Sequence, residues 1–355
     1  MTLSTKDMHA AVEEAARVHL AEHGRLLTVT PLHSSGRTYS KMHRMELRFE
    51  KGTLDVCLKL HLRDDPSLEQ ECVTWAREEF AVLKALYAAA RDARELSVVR
   101  PLAFLPQLPG ILLETHHGTV LNTLLKERTL GPWRRRSVES LESYYGKLGV
   151  SLREFHDLTT GNPDLVKALA ALSLFTYSAD QLLEEADDGF QRAMSLSPNG
   201  NHASAERLYG LSREGFSRVV RADYRRVGVH GDFTPVNIFV HGTQTTVYDF
   251  VNLHYGHPYE DLSRFISYTY FVQKDPLALR RKDVIRLIAA FMDGYGLSEW
   301  RVDPVLSFFF QKSMFRTLRG GFRFAKRPGL LRAIYRRAML SVFHAWVRDG
   351  MRVPS

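Results

Sequence analysis

The stretch VHGDFTPVNIFV, residues 229–240, places His230, Asp232 and Asn237 between apolar runs. A glycine and a proline in this stretch would be costly inside a helix, so the polar side chains belong to a loop. The segments IFV, HGTQ and TTVYDF then predict a short hairpin whose second strand ends at Asp249. Two carboxylates and a carboxamide converge there, a donor set that suits Mg²⁺, although each residue alone is also an ordinary turn former.

The preceding elements predict a small antiparallel sheet that positions this loop. Residues 25–62 alternate as three strands, RLLTVTPLH, YSKMHRMELRF and TLDVCLKLHL. A helix begun by Asp65 and Pro66 follows, and SVVRPLAFLP and GILLET add two strands. We predict an α+β fold with an N-terminal lobe over 1–115, made of a five-stranded sheet, a helix and an N-terminal helix. A mainly helical lobe would fill 116–355.

Length and composition set the broad class of protein. The 355 residues are 45% hydrophobic, enough for a sizeable core. No apolar run is long enough for a membrane span, and the first residues lack the apolar centre of a signal peptide. We therefore expect a soluble, cytoplasmic protein. Two cysteines are too few for a disulfide framework or a cysteine-based zinc site.

A lysine in the third predicted strand is a candidate for nucleotide binding. The period of two places Cys57 and Lys59 on one face of DVCLKL, and a small residue beside a lysine suits an adenine and its phosphates. The alternative is a solvated edge lysine. In AREEF, helical spacing turns Glu79 towards the apolar side marked by Leu83 and turns Glu78 away. An unpaired carboxylate is costly among apolar neighbours, so Glu79 is the predicted partner of Lys59.

These motifs resemble the aminoglycoside and choline phosphotransferase family, whose fold is similar to that of protein kinases. The family's catalytic loop, H-G-D-x-x-x-x-N, is matched by His230, Asp232 and Asn237, and a strand ending in Asp follows it at Asp249. The resemblance implies that Asp232, in a catalytic loop opened by His230, positions or deprotonates a hydroxyl. It also implies Asn237 and Asp249 as Mg²⁺ ligands, ATP or GTP as donor, and Lys59 as a ligand of the α and β phosphates.

The same resemblance implies two further parts of a nucleotide site. A loop over the phosphates would lie at HSSGRTY, with Ser34, Ser35 and Gly36, although protein kinases use three glycines there. A hinge meeting adenine would run from Glu114 to Thr119 and include His116.

Two chain lengths indicate a small acceptor. About eleven residues separate Asp249 from Asp261, too few for the peptide platform of a protein kinase. Asp261 itself is predicted to be a structural cap. A helical insert at about 160–226 resembles the subdomain with which small-molecule phosphotransferases enclose an acceptor. The expected acceptor is a hydroxyl of an aminoglycoside, sugar, amino alcohol or lipid-linked glycan.

The charge distribution leaves two questions open. An acidic cluster in the insert either faces a cationic acceptor or forms a solvated helix face; it consists of Glu184, Glu185, Asp187 and Asp188. The segment 311–355 carries eleven Lys or Arg residues and one acid, within a net charge of +8. Its last helix, with an apolar stripe through Ile334 and Val342, either docks on the helical lobe or rests on an anionic membrane at its inner face.

Three rival functions have weaker support in the sequence. The histidine pairs His116–His117 and His254–His257 lack the spacing of a zinc site. Nucleic-acid binding, suggested by a pI of about 9.4, has only a weak stacking signature and is not expected. A nucleotide-binding scaffold without turnover would be expected to have lost at least one of the predicted site residues, and all are present.

Overall fold

A computed structural model describes residues 4–36, 40–62, 68–127, 134–172, 174, 176–196, 202–220, 226–272, 279–325 and 330–354. The helices are α1 (Thr5–His19), α2 (Glu69–Ala89), α3 (Leu121–Glu127), α4 (Arg134–Gly161), α5 (Pro163–Ala170), α6 (Ala179–Leu196), α7 (His202–Val220), α8 (Tyr259–Phe271), α9 (Arg281–Tyr295), α10 (Pro304–Ala325) and α11 (Leu330–Arg348). The strands are β1 (Leu26–Gly36), β2 (Ser40–Phe49), β3 (Gly52–His61), β4 (Ser97–Val98), β5 (Pro101–Leu105), β6 (Gly110–Glu114), β7 (Thr119–Val120), β8 (Val227–Val229), β9 (Ile238–His241), β10 (Gln244–Val247) and β11 (His254–Gly256).

The predicted five-stranded antiparallel sheet is present, in the order β1-β2-β3-β6-β5. Alternation along β3 sends Val56, Leu58 and Leu60 into an apolar cluster with α1. Cys57 belongs instead to the core that includes α2. The sheet therefore lies between the two helices, and the face of β3 that carries Lys59 looks towards α2 and the helical part of the chain. The predicted helix start at Asp65 and Pro66 lies outside the described residues.

A second sheet, ordered β4-β10-β9-β7, carries the predicted hairpin β9–β10. The strand β4 pairs with β10 in parallel, so a segment from before the predicted division at residue 115 joins the later sheet. The hairpin's second strand ends at Val247, two residues before the predicted end. Asp249 adopts a left-handed backbone conformation, with φ 69° and ψ 63°, which turns its side chain out of the strand alternation.

The strands β8 and β11 form a third, two-stranded antiparallel sheet, and the other described elements are mainly helices. The predicted insert forms α5, α6 and α7, and α10 packs against α6, α7, α8 and α11. The helices α4 and α9 lie side by side, and their close contact depends on Gly149 and Gly294. A Cβ atom on Gly294 would collide with the carbonyl oxygen of Gly146, and one on Gly149 with that of Phe291. Glycine is needed here for backbone proximity.

The last helix docks on α10 through its C-terminal half. Met339, Val342, Phe343 and Trp346 are buried, whereas Ile334 is 56% exposed. The predicted apolar stripe therefore describes the packed face correctly at Val342 and wrongly at Ile334. Contact with an anionic membrane stays a prediction. No helix of the described residues is long and apolar enough to cross a membrane.

The close contact of α4 and α9 predicts a stability defect. Gly294→Ala should lower the free energy of unfolding by about 1–3 kcal/mol, because the helices must separate to admit the methyl group. Urea denaturation measures this change. The control is Gly210→Ala in α7, where an added Cβ meets nothing within 4 Å and helix propensity predicts a gain of about 0.5–1 kcal/mol. Equal stability of both variants would contradict the packing argument.

Candidate active site

A buried ionic cluster joins the first sheet to the end of the β9–β10 hairpin. The Nζ of Lys59 lies 2.7 and 2.8 Å from the two carboxylate oxygens of Glu79 and 2.6 Å from Oδ1 of Asp249. Lys59 and Glu79 are 5% and 2% exposed. Burial alone would lower the pKa of Lys59, but Glu79 and Asp249 hold it above its usual value. The lysine is therefore a charged, desolvated group, and Glu79 is its partner as predicted.

His61 is a fourth member of this cluster that the sequence reasoning missed. Its Nε2 lies 2.9 Å from Oε2 of Glu79, and the ring is buried. Burial would raise the pKa of Glu79, but Lys59 and His61 lower it below its usual value. The strand period that paired Cys57 with Lys59 also puts His61 on the same face, so the signal was present two residues further along.

The buried carboxylate of Asp261 binds the backbone at the start of the loop 230–237. The backbone N–H groups of His230 and Gly231 donate to the two carboxylate oxygens of Asp261, at 2.7 and 3.0 Å. Burial would raise the pKa of Asp261, but His156 and His230 lower it below its usual value. The predicted cap is therefore a cap of the loop rather than of its own helix.

His230 is fully buried and contacts backbone. Its Nε2 lies 2.8 Å from the carbonyl oxygen of Tyr248, so this nitrogen must carry the proton. Its Nδ1 is then an acceptor and receives the backbone N–H of Asp232 at 3.3 Å. These contacts show that His230 positions the loop: it links the loop to Tyr248, the residue before Asp249.

The carboxylate of Asp232 accepts hydrogen bonds from Arg264, a residue that was not predicted from the sequence. The Nε and Nη2 of Arg264 both donate to Oδ1 of Asp232, at 3.0 and 2.9 Å. The amide nitrogen of Asn237 donates to Oδ2 at 3.1 Å and to the carbonyl oxygen of Asp232 at 3.0 Å. These hydrogen bonds therefore fix the orientation of the Asp232 carboxylate.

The predicted metal ligands fit a divalent cation that also binds phosphate. With its nitrogen turned to Asp232, Asn237 offers its amide oxygen, and its backbone carbonyl accepts from Tyr248, next to Asp249. Among the described residues no group of three or more His, Cys, Asp or Glu side chains could hold a metal alone. Mg²⁺ commonly takes one or two carboxylates and completes its shell with water and substrate phosphates, so Asn237 and Asp249 suit that mode.

The predicted phosphate loop lies at the end of the first hairpin. Ser34, Ser35 and Gly36 are exposed and pair in β1 with residues of β2, and Oγ of Ser34 lies 2.8 Å from Nδ1 of His43. The tip of this hairpin, residues 37–39, is outside the described residues. The part that these three residues play in nucleotide binding stays a prediction.

The predicted hinge runs beside Tyr248. The carboxylate of Glu114 lies 3.4 Å from Arg100, and its backbone N–H donates to the Arg100 carbonyl oxygen. The imidazole of His116 contacts Oγ1 of Thr246 at 2.8 Å. Burial raises the pKa of the Tyr248 phenol, and a backbone hydrogen bond with His116 opposes this rise. The side chains of Glu114 and His116 are thus engaged within the protein.

A cavity of about 670 Å³ opens beside the loop. It lies between the insert and α8 and α10. That this cavity binds the acceptor stays a prediction. The residues that line it include Tyr177, Glu185, Asp188, Gly231, Asn252, His254, Glu260, Arg264, Lys312, Arg316 and Arg319. The volume is within the range of small-molecule pockets.

The acidic cluster of the insert contributes two of these lining residues. Glu185 and Asp188 face the cavity, whereas Asp187 binds Arg213 and the hydroxyl of Tyr209. Glu184 is exposed. Neither predicted alternative describes the whole cluster, because its members divide between the cavity, an ion pair on α7 and solvent.

Two comparisons of the sequence with known proteins were informative in different ways. A model of the phosphotransferase enzyme family, APH, matches residues 50–304. No significant match was found among curated proteins.

Three solved structures are similar in fold. A choline/ethanolamine kinase family protein from Mesorhizobium loti is 14% identical over 96% of this chain and 93% of its own, with a TM-score of 0.53. Plasmodium vivax ethanolamine kinase is 12% identical over 98% and 91%, with a TM-score of 0.52. A thermostable mutant of the aminoglycoside phosphotransferase APH(4)-Ia is 13% identical over 95% and 99%, with a TM-score of 0.50. At these identities the likeness shows the kinase-like fold.

The family model covers most of the chain, including the loop 230–237, Lys59, Glu79 and Asp249. The chain belongs to the phosphotransferase enzyme family.

Proposed function

We propose that this protein transfers the γ-phosphoryl group of ATP, with GTP as the alternative donor, to a hydroxyl of a small molecule. The observation that carries the proposal is the convergence of Lys59, Glu79 and Asp249 from positions up to 190 residues apart in the chain. A buried ammonium with two carboxylates beside an Asp–Asn loop is the arrangement that phosphoryl transfer requires.

When the nucleotide binds, Lys59 exchanges one of its hydrogen-bond partners. An ammonium has three N–H donors, and in this structure Glu79 and Asp249 present three carboxylate oxygens to it. A phosphate oxygen of the nucleotide therefore takes the place of Asp249, while Glu79 keeps the ammonium oriented. Asp249 and the amide oxygen of Asn237 would hold Mg²⁺, which would supply positive charge to the phosphates.

The acceptor side depends on Asp232. Arg264 and Asn237 fix its carboxylate, and Oδ2 has a second lone pair for the acceptor hydroxyl. A loose transition state needs this hydroxyl to be in line before it needs a strong base. Asp232 therefore orients the hydroxyl and takes its proton late. The acceptor enters from the cavity beside Gly231 and Arg264.

The first prediction concerns turnover. Asp232→Asn should lower kcat by roughly 10²–10⁴-fold, because the amide keeps the shape but cannot accept the proton. Nucleotide affinity, measured by calorimetry, should stay nearly unchanged. Asp293→Asn, an exposed residue of α9, is the control and should retain full activity. Comparable turnover in Asp232→Asn and its control would refute the role.

The second prediction separates metal binding from phosphate binding. In Asp249→Ala, ATP affinity without divalent cations should be no weaker than in the wild type, because Lys59 loses a competing carboxylate. With Mg²⁺ the wild type should gain at least about tenfold in affinity, equivalent to about 1.4 kcal/mol, and the variant should not. Calorimetric titrations of ATP, with Mg²⁺ and with EDTA, measure both affinities. An equal Mg²⁺-dependent gain in the variant would contradict the assignment of Asp249.

A further inference from the structure

The acceptor cavity is lined on one side by cationic side chains. Lys312, Arg316 and Arg319 follow one another at i, i+4 and i+7 on α10 and face the cavity together. Arg264 of α8 lies beside them, with Nη1 3.3 Å from Oγ1 of Thr317 on α10. The described lining residues thus include four Lys or Arg side chains and three carboxylates.

The carboxylates of this lining are already engaged within the protein. Glu185 lies 2.6 Å from Nζ of Lys312, and Glu260 lies 3.7 Å from the same atom and 3.6 Å from His254. Asp188 lies 2.5 Å from Arg192 and 3.9 Å from Arg319. An ammonium group of an acceptor would have to displace one of these partners and would gain little charge neutralisation.

Arg316 stands apart from these pairs. Its described polar contact is the carbonyl oxygen of Gly231, 3.5 Å from Nη1, and no carboxylate among the described residues forms an ion pair with it. Two effects lower the pKa of the Arg264 guanidinium: burial, which is the larger, and the positive charge of Arg316. Asp232 compensates the charge of Arg264, so the positive charge at this entrance that has no carboxylate beside it among the described residues is that of Arg316, and an anion bound there would neutralise it.

We propose that the acceptor of this enzyme is a hydroxyl compound bearing an anionic group, phosphate or carboxylate, which Arg316 binds at the wall of the cavity. This inference rests on the proposed phosphotransferase function and specifies its substrate class. Arginine presents a planar fork of donors that matches either oxyanion. Arg319 lines the cavity on the same helix face.

The position of Arg316 relates the anion to the reacting hydroxyl. Arg316 contacts the carbonyl of Gly231, the residue before Asp232. An oxyanion bound by Arg316 would therefore hold the acceptor next to the loop, with a nearby hydroxyl directed at Asp232. A cationic aminoglycoside or amino alcohol would instead meet Arg316 at this point, and like charges would oppose its binding.

The first test compares two series of acceptors, and the members of each series share one carbon skeleton. Nucleoside-diphosphate release would be measured with glycerol 3-phosphate, glycerate, glycerol and 3-amino-1,2-propanediol, and with glucose 6-phosphate, glucuronate, glucose and glucosamine. The anionic members should give the higher kcat/KM, and the preferred member distinguishes phosphate from carboxylate. In Arg316→Gln their KM should rise about tenfold or more. Arg337→Gln, an exposed guanidinium on α11, should leave KM unchanged.

The second test does not depend on finding a substrate. Inorganic phosphate is titrated into the wild type with the nucleotide site filled by AMP-PNP and Mg²⁺, and binding is followed by ³¹P NMR. We expect saturable binding that Arg316→Gln weakens about tenfold or more and Arg337→Gln does not. No saturable binding, equal binding in Arg316→Gln, or turnover of only neutral or cationic acceptors would overturn the inference. Failure of the wild type to bind the nucleotide would instead count against the proposed function.

Discussion

A single buried ammonium ion constrains the whole arrangement. Lys59 is removed from water between Glu79 and Asp249, and a charge in that position is tolerated only with its partners in place. Removing one member of such a group typically costs about 3–5 kcal/mol. The strand β3, the helix α2 and the end of the β9–β10 hairpin must therefore hold one another in register, and the proposed nucleotide cleft lies where they meet.

A second buried network does the same for the loop 230–237. A short 3₁₀ turn at its end leaves most of the loop without regular backbone pairing, so its N–H groups need other acceptors. Asp261 supplies both of its oxygens, and His230 ties the loop to Tyr248. Gly231 is required here because its φ of 79° and its approach to the Asn252 carbonyl leave no room for a Cβ. The carboxylate of Asp232 is thus placed by backbone geometry before any ligand binds.

Local patterns in the sequence were enough to predict the sheet, the insert helices and the pairing of Lys59 with Glu79. Strand alternation and helical spacing determine which way these side chains point, and burial of a charge requires a partner. The left-handed conformation of Asp249 was not predictable, because it follows from how the hairpin meets the loop. Arg264 was missed because nothing in its own helix shows that it faces a residue 32 positions away. The cations of α10 have a detectable spacing, but only the packing of α6 and α8 shows that they line a cavity.

The family match ends at residue 304, where α10 begins. Lys59, Glu79, Asp232, Asn237 and Asp249 all lie within the matched region, whereas Lys312, Arg316 and Arg319 lie beyond it. The residues of the proposed reaction centre and the α10 cations proposed to bind the acceptor therefore lie in separate stretches of the chain, although α6 and α8 also line the cavity. Substitutions on α10 would alter one wall of the cavity while every residue of the proposed reaction centre is retained.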